Sequence, residues 1–60
     1  MWKCSISCLD SEGSSIKEGD VFEPGYDSEN ENYVGLVNVN DNKNIFIHYL
    51  RFILCFERVK

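Results

Sequence analysis

The 60-residue chain lacks the features that typically send a protein to a membrane or out of the cell. None of its apolar runs approaches the ~20 residues that a membrane-spanning helix needs. Its N-terminus has no apolar core and no small-residue cleavage site, so we expect no signal peptide. It has three cysteines, and this odd number argues against a fully paired disulfide framework. Free thiols fit a reducing compartment, and we expect a cytoplasmic protein.

Positive charge is also scarce, since six lysines and arginines stand against ten acidic residues and the net charge is −4. Nucleic-acid backbones are bound through clustered basic residues, and the few present here are scattered along the chain. We therefore expect no direct contact with nucleic acid, and instead a protein partner with a basic surface. Catalytic and cofactor motifs are absent, and so short a chain leaves little room for a deep substrate pocket. We predict that the protein is not an enzyme and uses no cofactor.

Short runs with strand character fill most of the sequence, and no segment has a strong helical period. In the first run Trp2, Cys4, Ile6 and Cys8 alternate with polar residues, which is the period of a half-buried strand. Gly35 within the third run suggests a bulge or a sharp bend. Turn-forming residues separate most of the runs, and the Asx-rich turn at 40–43 predicts a hairpin. The predicted strands span residues 2–9, 20–23, 33–38, 44–49 and 52–59.

These runs predict a single all-β domain over residues 1–60, a small five-stranded antiparallel barrel. Residues 45–56 are apolar enough to form a buried helix instead, but their β-branched and aromatic content favours strands, with a short 3₁₀ link at Leu50 and Arg51. The predicted core consists of Trp2, Cys4, Ile6, Val21, Leu36, Val37, Ile45, Ile47, Leu54 and Phe56.

The run 45–56 holds more apolar residues than one inner face can bury, because period two sends half of them outward. A contiguous apolar patch on the outside marks an interface. Three explanations remain open: a homodimer formed through this hairpin, docking of another protein, or a cap supplied by Trp2, Leu9 and the loop around Ile16.

The order of short motifs along the chain resembles that of small proteins encoded by bacteriophages and prophages. Lys3 and Cys4 begin the first strand, and a K-E-G-D-V-F stretch follows at 17–22. A V-x-V strand and an Asx-rich turn come next, and C-F-E-R-V stands at 55–59. The resemblance implies a Src-homology-3-like barrel that acts in the cytoplasm of a bacterial host. It brings no shared catalytic residue, and the acidic segment 26–32 and the apolar run 52–56 depart from it.

One possible metal site is the set Cys4, Cys8, Cys55 and His48, which has the ligand count of a zinc centre. On a continuous strand Cys4 and Cys8 would lie about 13 Å apart, far more than two thiolates on one zinc allow. We therefore predict no metal site and expect the cysteines to be buried free thiols, with Cys4 and Cys55 facing each other across paired terminal strands. A His48–Cys55 nucleophile is disfavoured as well, since burial raises the pKa of a thiol.

The acidic segment 26–32 is the candidate partner-binding region. It lacks the D-x-D-x-D-G spacing of a calcium loop, and its alternative explanation is a solvated connector. Aromatic residues anchor protein contacts and acidic rims steer basic partners towards them. The predicted partner-binding residues are Glu23, Tyr26, Asp27, Glu29, Glu31, Tyr33 and Phe46.

The resulting functional hypothesis is a small phage-type binding module that engages and modulates a bacterial host protein, such as a nucleic-acid enzyme or a defence component. The alternative is a self-assembling structural or accessory phage component with no host target.

Overall fold

The computed structural model describes residues 1–59, which form seven short strands and one helix. Five strands make an antiparallel sheet in the order β6-β5-β4-β1-β7, and β2 and β3 make a separate two-stranded sheet. The prediction of an all-β protein with a five-stranded antiparallel sheet is confirmed. The elements are β1 (Trp2–Cys4), β2 (Cys8–Leu9), β3 (Ser15–Ile16), β4 (Val21–Pro24), β5 (Tyr33–Asn38), β6 (Asn44–His48), α1 (Tyr49–Cys55) and β7 (Phe56–Arg58).

The five-stranded sheet is open, which corrects the prediction of a closed barrel. Strands β6 and β7 are its two edges, and no ladder joins them within residues 1–59. The reason lies between them in sequence, because α1 takes up residues that the barrel prediction assigned to a long closing strand. What remains for β7 is three residues, all of which pair with β1.

The helix α1 replaces the predicted strand at 52–55, so the alternative of a buried helix was right in having a helix at Tyr49–Cys55 and wrong in its burial, since only Cys55 is buried. His48 caps its N-terminus, since the imidazole Nδ1 accepts a hydrogen bond of 3.1 Å from the Leu50 N–H. Phe52 and Cys55, three residues apart, pack towards the core, while Leu54 between them is 72% exposed. Within residues 1–59, no helix is long and apolar enough to cross a membrane.

The first predicted strand, 2–9, is interrupted. The chain bends at Ser5 and Ile6, where both backbone N–H groups donate to the Cys55 carbonyl, at 2.7 and 3.3 Å. Cys8 then pairs with Ile16 in the second sheet, and Ile6 is 57% exposed instead of buried. The predicted alternation of buried and exposed side chains therefore holds only as far as Cys4.

The β2–β3 hairpin is closed by the buried residue Asp10. Its Oδ1 accepts hydrogen bonds from the N–H groups of Glu12 (2.8 Å) and Ser14 (2.9 Å), which is an Asx-type turn. The Ser11 N–H donates to the carbonyl of Phe46 at 2.8 Å and so ties the hairpin to the edge strand β6. Ile16 is buried, as expected for the apolar residue of this loop.

The core lies on one face of the large sheet, under α1 and the hairpin. Five of the ten predicted core residues are buried, and Trp2 packs half-buried against them. Ile6 and Leu54 are exposed, whereas Val21 and Val37 are half-buried because Phe22 and Leu36 occupy the inward positions of β4 and β5. The buried apolar residues are Cys4, Ile16, Phe22, Leu36, Ile45, Ile47, Cys55 and Phe56.

Candidate functional site

The candidate site is built where the chain leaves β4 and crosses β5. The Gly25 N–H donates to the Gly35 carbonyl at 3.0 Å, and the Tyr26 N–H donates to Asn44 Oδ1, also at 3.0 Å. The Tyr26 carbonyl lies directly against Gly35, in space that any Cβ at position 35 would occupy. The predicted bulge at Gly35 is wrong, because the β5–β6 register runs without interruption through Gly35 and Phe46. Glycine is needed here for the close approach of the loop.

The acidic segment then folds back on itself through side-chain and backbone hydrogen bonds. Ser28 Oγ accepts from the Asn30 N–H at 3.1 Å, and Asn30 Oδ1 accepts from the Asn32 N–H at 2.9 Å. The Asn30 carbonyl accepts from the Tyr33 N–H at 3.0 Å, and the Asn32 carbonyl accepts from the Tyr49 N–H at 2.8 Å. These bonds give the segment a defined course from β4 to β5, anchored at the start of α1.

A groove of about 510 Å³ lies between this segment and the strands β1, β4 and β5. The acidic residues Asp27 and Glu31 line it together with the aromatic residues Trp2 and Tyr33. The volume lies within the range of roughly 300–1,000 Å³ that is typical of ligand sites. The remaining lining comes from Pro24, Gly25, Ser28, Val34, Gly35 and Leu36.

The charge of the groove is not neutralised by neighbouring residues. Asp27 and Glu31 are exposed, and the one ion pair among residues 1–59 is the surface pair Lys3–Glu57, at 3.9 Å. A groove with two free carboxylates and two aromatic rings suits a cation that carries apolar surface. Arginine and lysine side chains have this combination of a charged end and an apolar stem.

Each of the two aromatic residues of the groove packs against another ring. The Tyr33 ring meets the His48 ring edge-on, with centroids 5.4 Å apart. The Trp2 ring meets Phe52 of α1 edge-on at 4.9 Å. These contacts favour one orientation of each ring, and a ring that is already oriented loses less conformational entropy on binding.

Three of the seven predicted partner-binding residues, Asp27, Glu31 and Tyr33, are brought together in the groove. Tyr26 is 78% exposed and lines an adjacent depression of about 370 Å³, which shares Pro24 and Gly25 with the groove. The groove lining does not include Glu29, which is exposed at a bend of the same segment.

The other two predicted residues lie on the sheet. Glu23 is opposite Val37 in the β4–β5 ladder, and Phe46 is opposite Gly35 in the β5–β6 ladder. Val37 and Gly35 are two residues apart on β5, so both pairs lie on the same face of the sheet. It is the face away from the core. They are neighbours of the crossing loop and do not line the groove.

Sequence reasoning assigned Trp2 to the core and missed its place in the groove. The side chain is half-buried, packs against the core and lines the groove at the same time. Its residue type was the available signal, since tryptophan is enriched at protein interfaces.

The three cysteines lie closer together than a straight strand would allow. Because the chain bends at Ser5 and Ile6, Cys8 packs against the buried cluster that contains Cys4 and Cys55. The predicted separation of about 13 Å between Cys4 and Cys8 assumed one continuous strand, and the structure has a bend between them. Burial raises the pKa of the Cys4 thiol, and burial together with the neighbouring thiols raises the pKa of Cys8 to about 12.

His48 is separated from these thiols. It precedes α1 while Cys55 ends it, so the two are about 10 Å apart along the helix axis. In the described part of the chain, no group of three or more His, Cys, Asp or Glu side chains is arranged to hold a metal ion.

Comparison with known proteins finds no match to a protein family, to a curated protein or to a solved structure. The likeness to small phage proteins therefore rests on the short motifs of the sequence. No residue's role is carried over from a relative, and the groove is interpreted from its own geometry.

Proposed function

We propose that this protein is a binding module whose groove takes a basic segment of a partner protein. The observation that carries the proposal is the joint lining of the groove by the acidic residues Asp27 and Glu31 and the aromatic residues Trp2 and Tyr33. A lysine or arginine side chain there would gain charge-assisted hydrogen bonds and contact with an aromatic face.

Electrostatics and packing have separate roles in this proposal. The net charge of −4 and the exposed acids of 26–32 attract a basic partner from a distance, which mainly raises the association rate. The rings of Trp2 and Tyr33 supply apolar contact once the partner has docked, which mainly lowers the dissociation rate.

The biological setting belongs to the same proposal. The motif resemblance supports a phage-type module with a Src-homology-3-like arrangement that engages and modulates a protein of the bacterial host cytoplasm, such as a nucleic-acid enzyme or a defence component. Small size and an acidic surface are consistent with action by binding, without catalysis.

The test is capture from bacterial lysate by immobilised protein, followed by affinity measurement with each captured protein. The informative variant is Asp27→Asn with Glu31→Gln, which removes both groove charges at nearly constant shape. The matched control is Glu12→Gln with Glu18→Gln, which removes two exposed charges outside the groove lining.

We expect the groove variant to weaken binding by at least about tenfold and the control variant by much less. Binding by the wild-type protein should also weaken as salt concentration rises. If both double variants lower affinity equally, only net charge matters and the groove is not the site.

A second candidate function, self-assembly, is favoured by a different observation. On the outer side of α1, Leu50 is 63% exposed, Ile53 54% and Leu54 72%. Contiguous apolar surface of this kind is typical of contacts between protein molecules. A structural or accessory phage component would use it to bind further copies of the same chain.

Sedimentation velocity separates the two candidates. If the protein self-assembles through α1, wild-type protein should sediment as an oligomer and Leu50→Glu with Leu54→Glu as a monomer. A wild-type monomer at all concentrations would rule out self-assembly and leave the groove as the proposed site.

A further inference from the structure

We propose that Cys8 and Cys55 form a reversible disulfide, so that the protein carries an oxidation-sensitive cross-link between β2 and the end of α1. The proposal concerns a different part of the molecule from the groove and does not depend on it. It rests on the convergence of three thiols that are far apart in sequence.

Backbone hydrogen bonds fix this convergence. Cys4 is opposite Phe56 in the β1–β7 ladder, so it lies beside Cys55. The Ser5 N–H and the Ser5 hydroxyl both donate to the Cys55 carbonyl, at 2.7 and 3.0 Å, and hold the bend that returns the chain to this point. Cys8 then packs against the buried cluster that contains both other cysteines.

Among the three pairs, the geometry favours Cys8 with Cys55. Cys4 is fully buried, and its thiol already donates a hydrogen bond of 3.1 Å to the Ile6 carbonyl. Cys8 is half-buried and is the cysteine most open to a dissolved oxidant. Cys8 is two residues from Ile6, whose N–H donates to the Cys55 carbonyl, so the chain brings Cys8 next to Cys55.

The chemistry is a thiol–disulfide exchange with a low-molecular-weight disulfide such as oxidised glutathione. The Cys8 thiolate attacks one glutathione sulfur, forms a mixed disulfide and releases one reduced glutathione. The Cys55 thiolate then attacks the Cys8 sulfur and releases the second. The protein loses two protons and two electrons, and both electrons reduce the glutathione disulfide.

The surroundings make this exchange slow at neutral pH. Burial and the adjacent thiols keep Cys8 protonated, and the thiolate is the attacking species. The cross-link is therefore suited to sustained oxidising conditions and not to rapid signalling. Because it would close the long loop 8–55, it should markedly stabilise the folded protein.

Trypsin provides a direct test, since cleavage after lysine and arginine puts Cys4 and Cys8 on the peptide 4–17 and Cys55 on the peptide 52–58. Folded protein is equilibrated with oxidised glutathione, its remaining thiols are alkylated, and it is digested without reduction. We expect the peptides 4–17 and 52–58 to be joined, with fragment ions that locate the bond at Cys8. The oxidised protein should melt more than about 10 °C above the reduced protein.

Two serine variants give the matched comparison. Cys4→Ser should keep the cross-link and Cys8→Ser should lose it, with circular dichroism confirming that each is folded. Fragment ions from the wild-type digest make the same distinction if Cys4→Ser does not fold. The proposal is overturned by a bond at Cys4, by disulfides only between molecules, or by three thiols that remain alkylatable after oxidation.

Discussion

Gly35→Ala is expected to detach the crossing loop from β5 and destroy the groove. The new methyl group would collide with the Tyr26 carbonyl, whose carbon lies 2.9 Å from the Cβ position, and would press on Phe46 Cε1 at 3.2 Å. Overpacking of this kind costs about 1–3 kcal/mol. Lifting the loop away avoids the collision, but it loses the Gly25–Gly35 and Tyr26–Asn44 hydrogen bonds, at about 1 kcal/mol each.

We therefore expect a loss of about 1–3 kcal/mol in the free energy of unfolding, set by whichever route costs less. A chain of this length has only about 3–9 kcal/mol in total. Urea denaturation measures the loss, and amide hydrogen exchange should show lower protection at the backbone N–H groups of Gly25 and Tyr26. Binding through the groove should fall in parallel.

Gly13→Ala is the matched control, because Gly13 has a φ of +83° and open space around its Cβ position. It should cost about 1 kcal/mol of backbone strain and leave the Gly25 and Tyr26 amides protected. Adding Phe46→Ala to Gly35→Ala should not restore stability, since the main collision is with backbone. The reasoning is refuted if Gly35→Ala keeps both amides protected, or if removing the Phe46 ring rescues it.

Four further predictions follow from the same contacts. Ile47→Ala, at a fully buried position, should cost about 2–5 kcal/mol and markedly lower Tm, whereas the exposed Ile53→Ala should leave Tm nearly unchanged. Glu29→Lys with Glu31→Lys should slow association with a basic partner and weaken its salt dependence, measured by stopped flow, while the circular dichroism spectrum stays the same. A chelator should leave Tm unchanged, since no metal-binding group is arranged within residues 1–59. The free energy of unfolding should fall as pH rises above the ordinary thiol pKa of 9.0. Thiols of the unfolded chain ionise there, whereas folding raises the pKa of Cys8 to about 12 and keeps it protonated. The fall should be smaller in Cys8→Ser.

The sign of that last effect follows from which state binds the proton. A raised pKa in the folded protein contributes stability at pH values below the unfolded pKa, and the contribution is lost between the two values. Burial is the main cause of the raised Cys8 pKa, and the adjacent thiols of Cys55 and Cys4 raise it further.

The β5–β6 hairpin was the most predictable part of the fold, because its signal is local. Runs of strand-forming apolar residues lie on both sides of an Asx-rich turn, and Asn42 takes the positive φ of 59° that asparagine tolerates. The structure has the strands at Tyr33–Asn38 and Asn44–His48, within one residue of the prediction. Turn chemistry and side-chain period are both contained in these few residues.

The bend after Cys4 and the helix α1 could not be derived in the same way. The period of two continues through Ile6 to Cys8, and the bend is set by hydrogen bonds to the Cys55 carbonyl, about fifty residues away in sequence. Arg51 is the only charged residue in the apolar run that contains α1, so the side-chain period did not separate a helix from a strand, and the β-branched and aromatic content favoured the strand. The choice depends on Phe52 and Cys55 packing under the sheet, which is tertiary information.

The acidic residues of the candidate site were predicted from composition, whereas the geometry of the groove was not. Asp27, Glu31 and Tyr33 were predicted because charge and aromatic residues coincide in one segment. Their groove exists because the chain crosses Gly35 and returns beside Trp2, and the one signal of this close backbone approach, Gly35 within a strand, was interpreted as a bulge or a bend.

The strand β1 contributes to both proposed sites, so the variants that should abolish binding or the cross-link lie elsewhere. Trp2 lines the groove and Cys4 belongs to the thiol cluster, and the two residues lie about 7 Å apart on the same face of one strand. Because β1 pairs with β4 and β7, a shift of this strand would reach both sites. Asp27 and Glu31 lie on the crossing segment and Cys8 on β2, so each touches one site. A loss of binding in the acidic variant, or of the cross-link in Cys8→Ser, can therefore be assigned to that site alone.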